Sequence, residues 1–139
     1  MTQEVAYRFV EALAAVEQEG ELEPMIETFA EGCEIGTPTH AEKLHGIDGA
    51  REFWTIYRSA FRNVRSTLRN IIIGSNSFAL EWTARATDSS GKVLTYDGVS
   101  IADICAGRIT RFRSYFDTRH LGEQLEHSAR VFTAGGSAA

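Results

Sequence analysis

The sequence predicts an α+β domain in which three helices pack on the concave face of a curved, mostly antiparallel sheet. Apolar residues at helical spacing occupy residues 3–19, 21–29 and 46–61, and strand patterns fill the second half of the chain. Residues 78–117 alternate apolar and polar side chains across two glycine-containing turns, which is typical of three consecutive antiparallel strands. Such a sheet and its helices form a cone whose wide end suits a small-molecule pocket.

The helices are predicted from their apolar stripes and their end signals. Residues 3–19 place apolar side chains opposite Glu and Gln, and Gly20 ends this helix. A shorter helix covers residues 21–29. The third helix opens at residues 46–49, with Asp48 as its N-cap. Its strongly aromatic stripe consists of Ala50, Phe53, Trp54, Tyr57 and Phe61.

A short strand and a loop separate the second and third helices. Residues 33–36 are predicted as the strand and residues 37–42 as the loop, because Pro38 disfavours helix at the residue before it. A longer strand follows the third helix at residues 64–74 and leads into the three-strand ladder.

The lengths of the two turns decide which face of the sheet each side chain occupies. We take the first turn to close Thr87 onto Lys92 and the second to close Cys105 onto Arg108. Alternation then places Asp97 on the apolar face, where burial would raise the pKa of its carboxyl group. Alternatively, Asp97 lies hydrogen-bonded at the edge of the core, and a one-residue error in either turn would move it to the polar face.

The predicted faces differ clearly in composition. The apolar face, which also carries Asp97, comprises Phe78, Leu80, Trp82, Ala84, Thr95, Val99, Ile101, Phe112, Ser114 and Phe116. The polar face comprises Glu81, Thr83, Arg85, Tyr96, Ser100, Arg111, Arg113 and Tyr115. Because the part with Arg111, Arg113, Tyr96 and Tyr115 is flat, aromatic and Arg-rich, it is the expected surface of a homodimer.

Composition and charge favour one globular domain that binds neither nucleic acid nor membrane. The chain has 139 residues, 43% hydrophobic and 24% charged, and a net charge of −5 leaves no dominant basic patch. No apolar run approaches the roughly 18 residues of a membrane span. Residues 1–128 are predicted as a single domain and the Gly/Ala-rich residues 129–139 as a flexible tail.

The cysteines and the N-terminus bear on cofactors and location. Cys33 and Cys105 make neither a disulfide framework nor a metal-ligand spacing, so no metal or other cofactor is expected. The first residues after Met1, TQEVAYRF, are amphipathic and acidic, unlike a signal peptide, and this predicts a cytoplasmic protein.

Five short stretches resemble a known superfamily. They are RFVEAL at residues 8–13, TFAE at 28–31, GIDGAREF at 46–53, GRI at 107–109 and RSYFD at 113–117. These stretches and the order of elements resemble the nuclear-transport-factor-2-like superfamily, over residues 3 to about 125. Within it the chain is similar to the SnoaL-like and ketosteroid-isomerase-like branch, which also includes limonene-epoxide hydrolase.

Only some of the family's catalytic groups have a counterpart in this chain. The tyrosine of ketosteroid isomerases corresponds to Phe9, their proton-shuttling aspartate to Thr37 and their protonated sheet aspartate to Asp97. The hydrolases and cyclases have an aspartate in the last strand where this chain has Ser114, and the hydrolase Arg-x-Asp pair is absent from residues 81–85. No family mechanism therefore transfers whole.

The candidate catalytic residues are Asp97 and His40. His40 lies in the loop at the mouth of the cone, where its imidazole could replace the base missing at Thr37, or it is an exposed loop histidine. The candidate substrate-binding residues are Trp82, Tyr57, Phe9, Thr37, Val99, Ser114, Phe116 and Phe53.

Three functions remain open from the sequence. The first is an isomerase, cyclase or lyase that acts on an apolar, ring-containing compound of the polyketide, terpenoid or steroid kind by acid/base chemistry. The second is a non-catalytic ligand-binding or accessory module of the same fold. In the third, the apolar face is filled core without a pocket.

Overall fold

A computed structural model describes residues 1–37 and 42–117, which form three helices and one six-stranded sheet. The helices are α1 (Thr2–Glu19), α2 (Glu23–Ile26) and α3 (Gly46–Ser59). The strands are β1 (Phe29–Gly36), β2 (Leu44–His45), β3 (Asn63–Ile73), β4 (Ser77–Thr87), β5 (Val93–Cys105) and β6 (Arg108–Phe116). The predicted α+β fold class is confirmed.

The curved sheet is open and mostly antiparallel. Its strand order is β2-β1-β6-β5-β4-β3, and among the pairs formed by the described residues only β1–β6 is parallel. Helix α1 packs on β3 and β4, and α3 packs on β1 and β2. We call the helix-covered side of the sheet the inner face and the opposite side the outer face.

The helix ends follow their capping chemistry, with two corrections. Gly20 ends α1 in the left-handed conformation, with φ of 70°, as predicted. Helix α2 is shorter than predicted because the chain is already extended at Phe29, where β1 begins. The N-cap of α3 is His45, so the prediction of Asp48 as N-cap is wrong. Asp48 lies in the first turn instead, where the helix dipole favours a negative charge.

The β4–β5 hairpin is one residue longer than predicted. Thr87 pairs with Val93 rather than with Lys92. Asp88 stabilises the longer loop, because its Oδ1 accepts hydrogen bonds from the Ser90 and Lys92 amides, both at 2.9 Å.

This extra residue inverts β5 relative to the prediction. Asp97 pairs with Thr83 and is exposed on the outer face, so its predicted place on the apolar face is wrong. The same correction moves Thr95, Val99 and Ile101 to the outer face and places Tyr96 and Ser100 in the buried inner face.

A bulge restores the predicted faces on β6. Cys105 pairs with Arg108 as predicted, but the register then shifts by one residue between Ile104 and Asp103. The extra β6 residue at this bulge is Thr110. The inward residues of β6 are therefore those predicted, Phe112, Ser114 and Phe116.

Two clusters of buried side chains form the core. In the larger core cluster, Phe9 packs against the rings of Trp54, Phe78 and Phe112 with centroids 5.3–5.9 Å apart. The second, which we call the hairpin cluster, lies toward the β4–β5 loop and consists of Phe61, Val64, Ala84, Ala86, Leu94 and Tyr96.

Candidate functional site

Four half-buried aromatic side chains lie on the inner face where the two clusters meet. Tyr57 and Trp82 pack against both clusters, Phe53 against the larger one and Phe116 against the hairpin cluster. The cluster members around them are almost fully buried. These four rings, which we call the aromatic junction, are each partly accessible to solvent. All four were predicted to bind substrate.

Gly98 makes room for the indole of Trp82. The two residues pair across β4 and β5, and a Cβ atom at position 98 would lie 2.4 Å from Cζ2 and Cη2 of Trp82. That separation is far shorter than a van der Waals contact, so a larger residue would displace the indole. The glycine thus sets the position of one ring of the aromatic junction.

A polar chain crosses the inner face beside Trp82. The Nε1–H group of Trp82 donates to Ser100 Oγ at 2.9 Å, and the hydroxyl groups of Ser100 and Ser114 hydrogen-bond to each other at 2.7 Å. One N–H and two O–H groups supply three donor hydrogens, and these two bonds use two of them. One serine hydroxyl hydrogen therefore has no acceptor within the described part of the chain.

A second donor without an acceptor lies on α3. The buried Nε1–H of Trp54 has no hydrogen-bond partner among residues 1–37 and 42–117. The Trp54 ring packs against Phe112, and Ser114 is the next inward residue along β6. Because an unpaired buried donor costs roughly 1–3 kcal/mol, two such donors in one region favour an oxygen-bearing ligand there.

A buried carboxylate joins α1, α3 and β3 beside the aromatic junction. Glu17 is 4% exposed, and its Oε2 accepts hydrogen bonds from the hydroxyls of Tyr57 and Ser66, both at 2.6 Å. Its Oε1 accepts the Ser66 amide at 2.8 Å. Three donors use three of the roughly four acceptor positions of a carboxylate.

The phenol groups near Glu17 are held in their neutral form. Burial, and then the negative charge of Glu17, raise the pKa of Tyr57 well above its ordinary value. The same two causes, in the same order, raise the pKa of Tyr96. Both tyrosines therefore keep their protons at neutral pH and can act as hydrogen-bond donors.

Asp97 is exposed on the outer face, in a groove of about 370 Å³ that is also lined by Trp82, Gly98 and Phe116. Its Oδ1 accepts the Thr83 hydroxyl at 2.6 Å. The same groove is lined by Glu81, Val99, Tyr115 and Asp117. An exposed carboxylate is not the desolvated acid that the predicted catalytic role required.

Val99, another predicted site residue, shares this groove with Asp97, Trp82 and Phe116, whereas Phe9 and Thr37 do not line it. Phe9 is 1% exposed at the centre of the larger core cluster, and Thr37 is half-buried just beyond the end of β1. Val99 lies on the outer face, so its predicted place in an inner pocket is wrong. His40 lies outside the described residues.

Several polar residues of the inner face were not predicted. Glu17, Ser66 and Ser100 are turned inward, together with Tyr96 and Gly98. A signal existed for Glu17, because it follows Phe9 and Leu13 at helical spacing on the apolar side of α1. None existed for Ser100, whose face depends on the hairpin length.

The described residues contain no metal centre. No group of three or more His, Cys, Asp or Glu side chains among them is placed to hold a metal ion. Cys33 is buried, its thiol donates to the Gly46 carbonyl oxygen at 3.3 Å, and burial raises the pKa of that thiol. Within the same residues, no helix is both long and apolar enough to cross a membrane.

Solved structures share this fold at low sequence identity. A candidate isomerase from Rhodopseudomonas palustris has a TM-score of 0.80 at 18% identity, covering 91% of this chain and 99% of that chain. A nuclear-transport-factor-2-like protein from Anabaena variabilis has a TM-score of 0.78 at 18% identity, with 86% and 92% covered. A candidate SnoaL-like polyketide cyclase from a Jannaschia species reaches 0.68 at 15% identity, with 88% and 91% covered. These likenesses show the nuclear-transport-factor-2-like fold.

The family follows from the sequence itself. A comparison with curated proteins finds no significant match. Residues 7–112, however, match the SnoaL-like domain, and this range runs from the first turns of α1 into β6. The match confirms the resemblance seen in the short sequence stretches. The chain belongs to the SnoaL-like domain family.

Proposed function

We propose that this protein binds an apolar, ring-containing small molecule of the polyketide, terpenoid or steroid kind at the aromatic junction. It isomerises, cyclises or eliminates from that molecule by acid/base chemistry, without a cofactor. The observation that carries the proposal is the surplus of donors, because one serine hydroxyl and Trp54 Nε1 have no acceptor among the described residues. Donors of this kind suit a ligand oxygen, and the half-buried rings suit an apolar ring.

The names of two structural neighbours support the same reaction classes. One is a candidate isomerase and the other a candidate polyketide cyclase. A reaction of either kind that passes through an enolate needs donors directed at the carbonyl oxygen.

A non-catalytic binding module is the second candidate. The observation that favours it is the outward position of Asp97, since the one acid that the family resemblance suggests is not on the inner face. The inner-face donors would then bind a ligand oxygen without driving a reaction.

A matched pair of ligands tests the proposed binding site. The bicyclic ketone 2-tetralone and the hydrocarbon tetralin have nearly the same shape, but only the ketone accepts hydrogen bonds. We expect saturable quenching of tryptophan fluorescence by 2-tetralone. Ser114→Ala should lower the affinity for 2-tetralone roughly 2- to 10-fold more than the affinity for tetralin, as expected for the loss of one hydrogen bond.

The control variant is Ser89→Ala, in the exposed part of the β4–β5 loop. It should leave the affinity ratio of the two ligands unchanged. Absence of saturable quenching by 2-tetralone, or an equal effect of Ser114→Ala on both ligands, would contradict the proposed site.

We also propose a homodimer through the outer face of the sheet. Tyr96 does not belong to this surface, because it is buried on the inner face. Tyr115 and Val93 are exposed there at 49% and 45%, and Val99 and Ile101 extend the apolar area. Tyr115→Arg should shift the sedimentation coefficient from dimer to monomer, and an unchanged coefficient would contradict this assignment.

A further inference from the structure

Glu17 is the interior carboxylate beside the aromatic junction. The other buried carboxylate of the described chain, Asp88, stabilises the β4–β5 loop and lies away from the helices. Glu17 instead lies on the inward side of α1 and is held by Tyr57 of α3 and Ser66 of β3. Its position is therefore fixed by three elements that meet at the proposed site.

The carboxylate of Glu17 is held by neutral hydrogen-bond donors and not by an ion pair. No Lys, Arg or His side chain of the described residues forms an ion pair with it, and Arg65 of β3 bonds the backbone carbonyl oxygen of Glu17 instead. Tyr57 and Tyr96 are the titratable groups that face it from α3 and β5.

Tyr57 connects the carboxylate to the aromatic junction. Its hydroxyl bonds Glu17, while its half-buried ring lies 5.4 Å from the Trp54 ring and packs on both core clusters. We propose that Tyr57 and Glu17 form the proton-transfer pair of this site. Tyr57 touches the substrate, and Glu17 receives the proton through it. This inference rests on the proposed function, since it requires a carbonyl compound at the junction.

The transfer is balanced in protons and electrons. A C–H bond beside the substrate carbonyl breaks, and its proton moves to Tyr57 Oη while the original Tyr57 proton moves to Glu17 Oε2. The electron pair of that C–H bond forms the enolate, whose oxygen accepts the free hydroxyl of the Ser100–Ser114 pair. Return of the proton to the same carbon gives isotope exchange, and its return to another carbon gives isomerisation.

Isotope exchange at a simple ketone tests this pair. The full-length protein is incubated with 2-tetralone in D₂O, and loss of the C1 proton signal is followed by NMR against a protein-free control. We expect the wild type to accelerate exchange, and Tyr57→Phe and Glu17→Gln each to lower the accelerated rate by roughly 10²-fold or more. Binding of 2-tetralone, measured by tryptophan fluorescence, should change less than about 10-fold in both variants.

The control for a merely structural effect is Val16→Ala. Val16 is fully buried next to Glu17 in the chain but lies outside the hydrogen-bond network. This variant should lose stability and keep its exchange rate per folded molecule. A pH profile of exchange that is the same in Glu17→Gln and wild type would count against a proton-accepting role.

The outcomes separate this inference from the proposed function. If 2-tetralone binds and the wild type, Tyr57→Phe and Glu17→Gln all exchange at the same rate, the proton-transfer pair is wrong. The proposed binding site is then still supported. Binding without acceleration by the wild type also overturns the pair. Failure of 2-tetralone to bind overturns the proposed site, and the pair with it.

Discussion

The larger core cluster and the aromatic junction are neighbours on the inner face, but they differ in how they are built. Phe9, Phe78 and Phe112 contact other rings and are almost completely buried. In the junction, Tyr57 bonds a buried carboxylate and Trp82 bonds a serine. The first region contributes stability through apolar burial, whereas buried polar groups contribute little net stability and must be satisfied. Chemistry is therefore expected where the packing is interrupted by polar groups.

The largest effect should come from truncating the larger core cluster. Phe112 is 1% exposed and contacts the rings of Phe9, Phe29, Phe53 and Trp54. We expect Phe112→Ala to lower the free energy of unfolding by about 3–5 kcal/mol, measured by urea denaturation.

The matched control is Tyr115→Ala, on the outer face of the same strand. It should change the stability of the monomer by about 0.5 kcal/mol or less. Similar losses in the two variants would show that the inner cluster does not dominate stability.

A smaller effect is expected where the junction depends on a glycine. In Gly98→Ala the new methyl group would meet the Trp82 indole at 2.4 Å and the Tyr115 carbonyl oxygen at 2.7 Å. We expect a loss of about 1–3 kcal/mol and a shifted tryptophan emission maximum. Gly32→Ala, where a Cβ has no neighbour within 4 Å, is the control and should cost less. Unchanged emission in Gly98→Ala would contradict the described contact.

Alkaline pH should destabilise the folded protein through its two buried phenols, Tyr57 and Tyr96. Burial and the Glu17 charge raise the pKa of Tyr57 and Tyr96 above their ordinary value of 10.0 in the folded protein. Above pH 10 the unfolded chain therefore binds fewer protons than the folded one. The free energy of unfolding therefore keeps its full value below pH 10. Above pH 10 it falls by up to about 1.4 kcal/mol per pH unit for each of the two phenols.

Urea denaturation between pH 9 and pH 11 measures this slope. Tyr96→Phe removes one of the two phenols and should flatten the decline. An identical slope in Tyr96→Phe and wild type would show that the pKa of Tyr96 is not raised by folding.

The smallest effect is expected within the polar chain. A double-mutant cycle of Ser100→Ala and Ser114→Ala isolates their mutual hydrogen bond at 2.7 Å. We expect a coupling free energy of about 0.5–1.5 kcal/mol from thermal or urea unfolding. Strict additivity would indicate that the two hydroxyls do not bond each other.

The sequence predicts the fold well because periodicity reports burial directly. The stripe around Phe9 and the alternation around Trp82 and Phe112 each identify the inner face correctly. Strand β5 is the exception, because alternation gives two faces but does not say which one is buried. That choice depends on loop length and on the β6 bulge, which local propensities do not encode.

The candidate site was harder to predict for the same reason. Asp97 was expected inside only because the hairpin was taken to be one residue shorter. Glu17 was predicted to lie on the solvated side of α1, because a charged residue is rarely buried without a partner. Its partners, Tyr57 and Ser66, lie 40 and 49 residues away in the chain, where helical spacing carries no information.

The longer β4–β5 loop and the bulge at Thr110 show that the faces of β5 depend on its pairing and not on its own sequence. If Thr87 paired with Lys92 and the bulge closed, β5 alone would invert, and β4 and β6 would stay in place. Asp97 and Val99 would then enter the interior, and Tyr96 and Ser100 would leave it. A one-residue shift of a single strand would thus exchange a whole row of inner-face side chains without substituting any residue of β5. Two chains with the same β5 sequence can therefore present different inner faces.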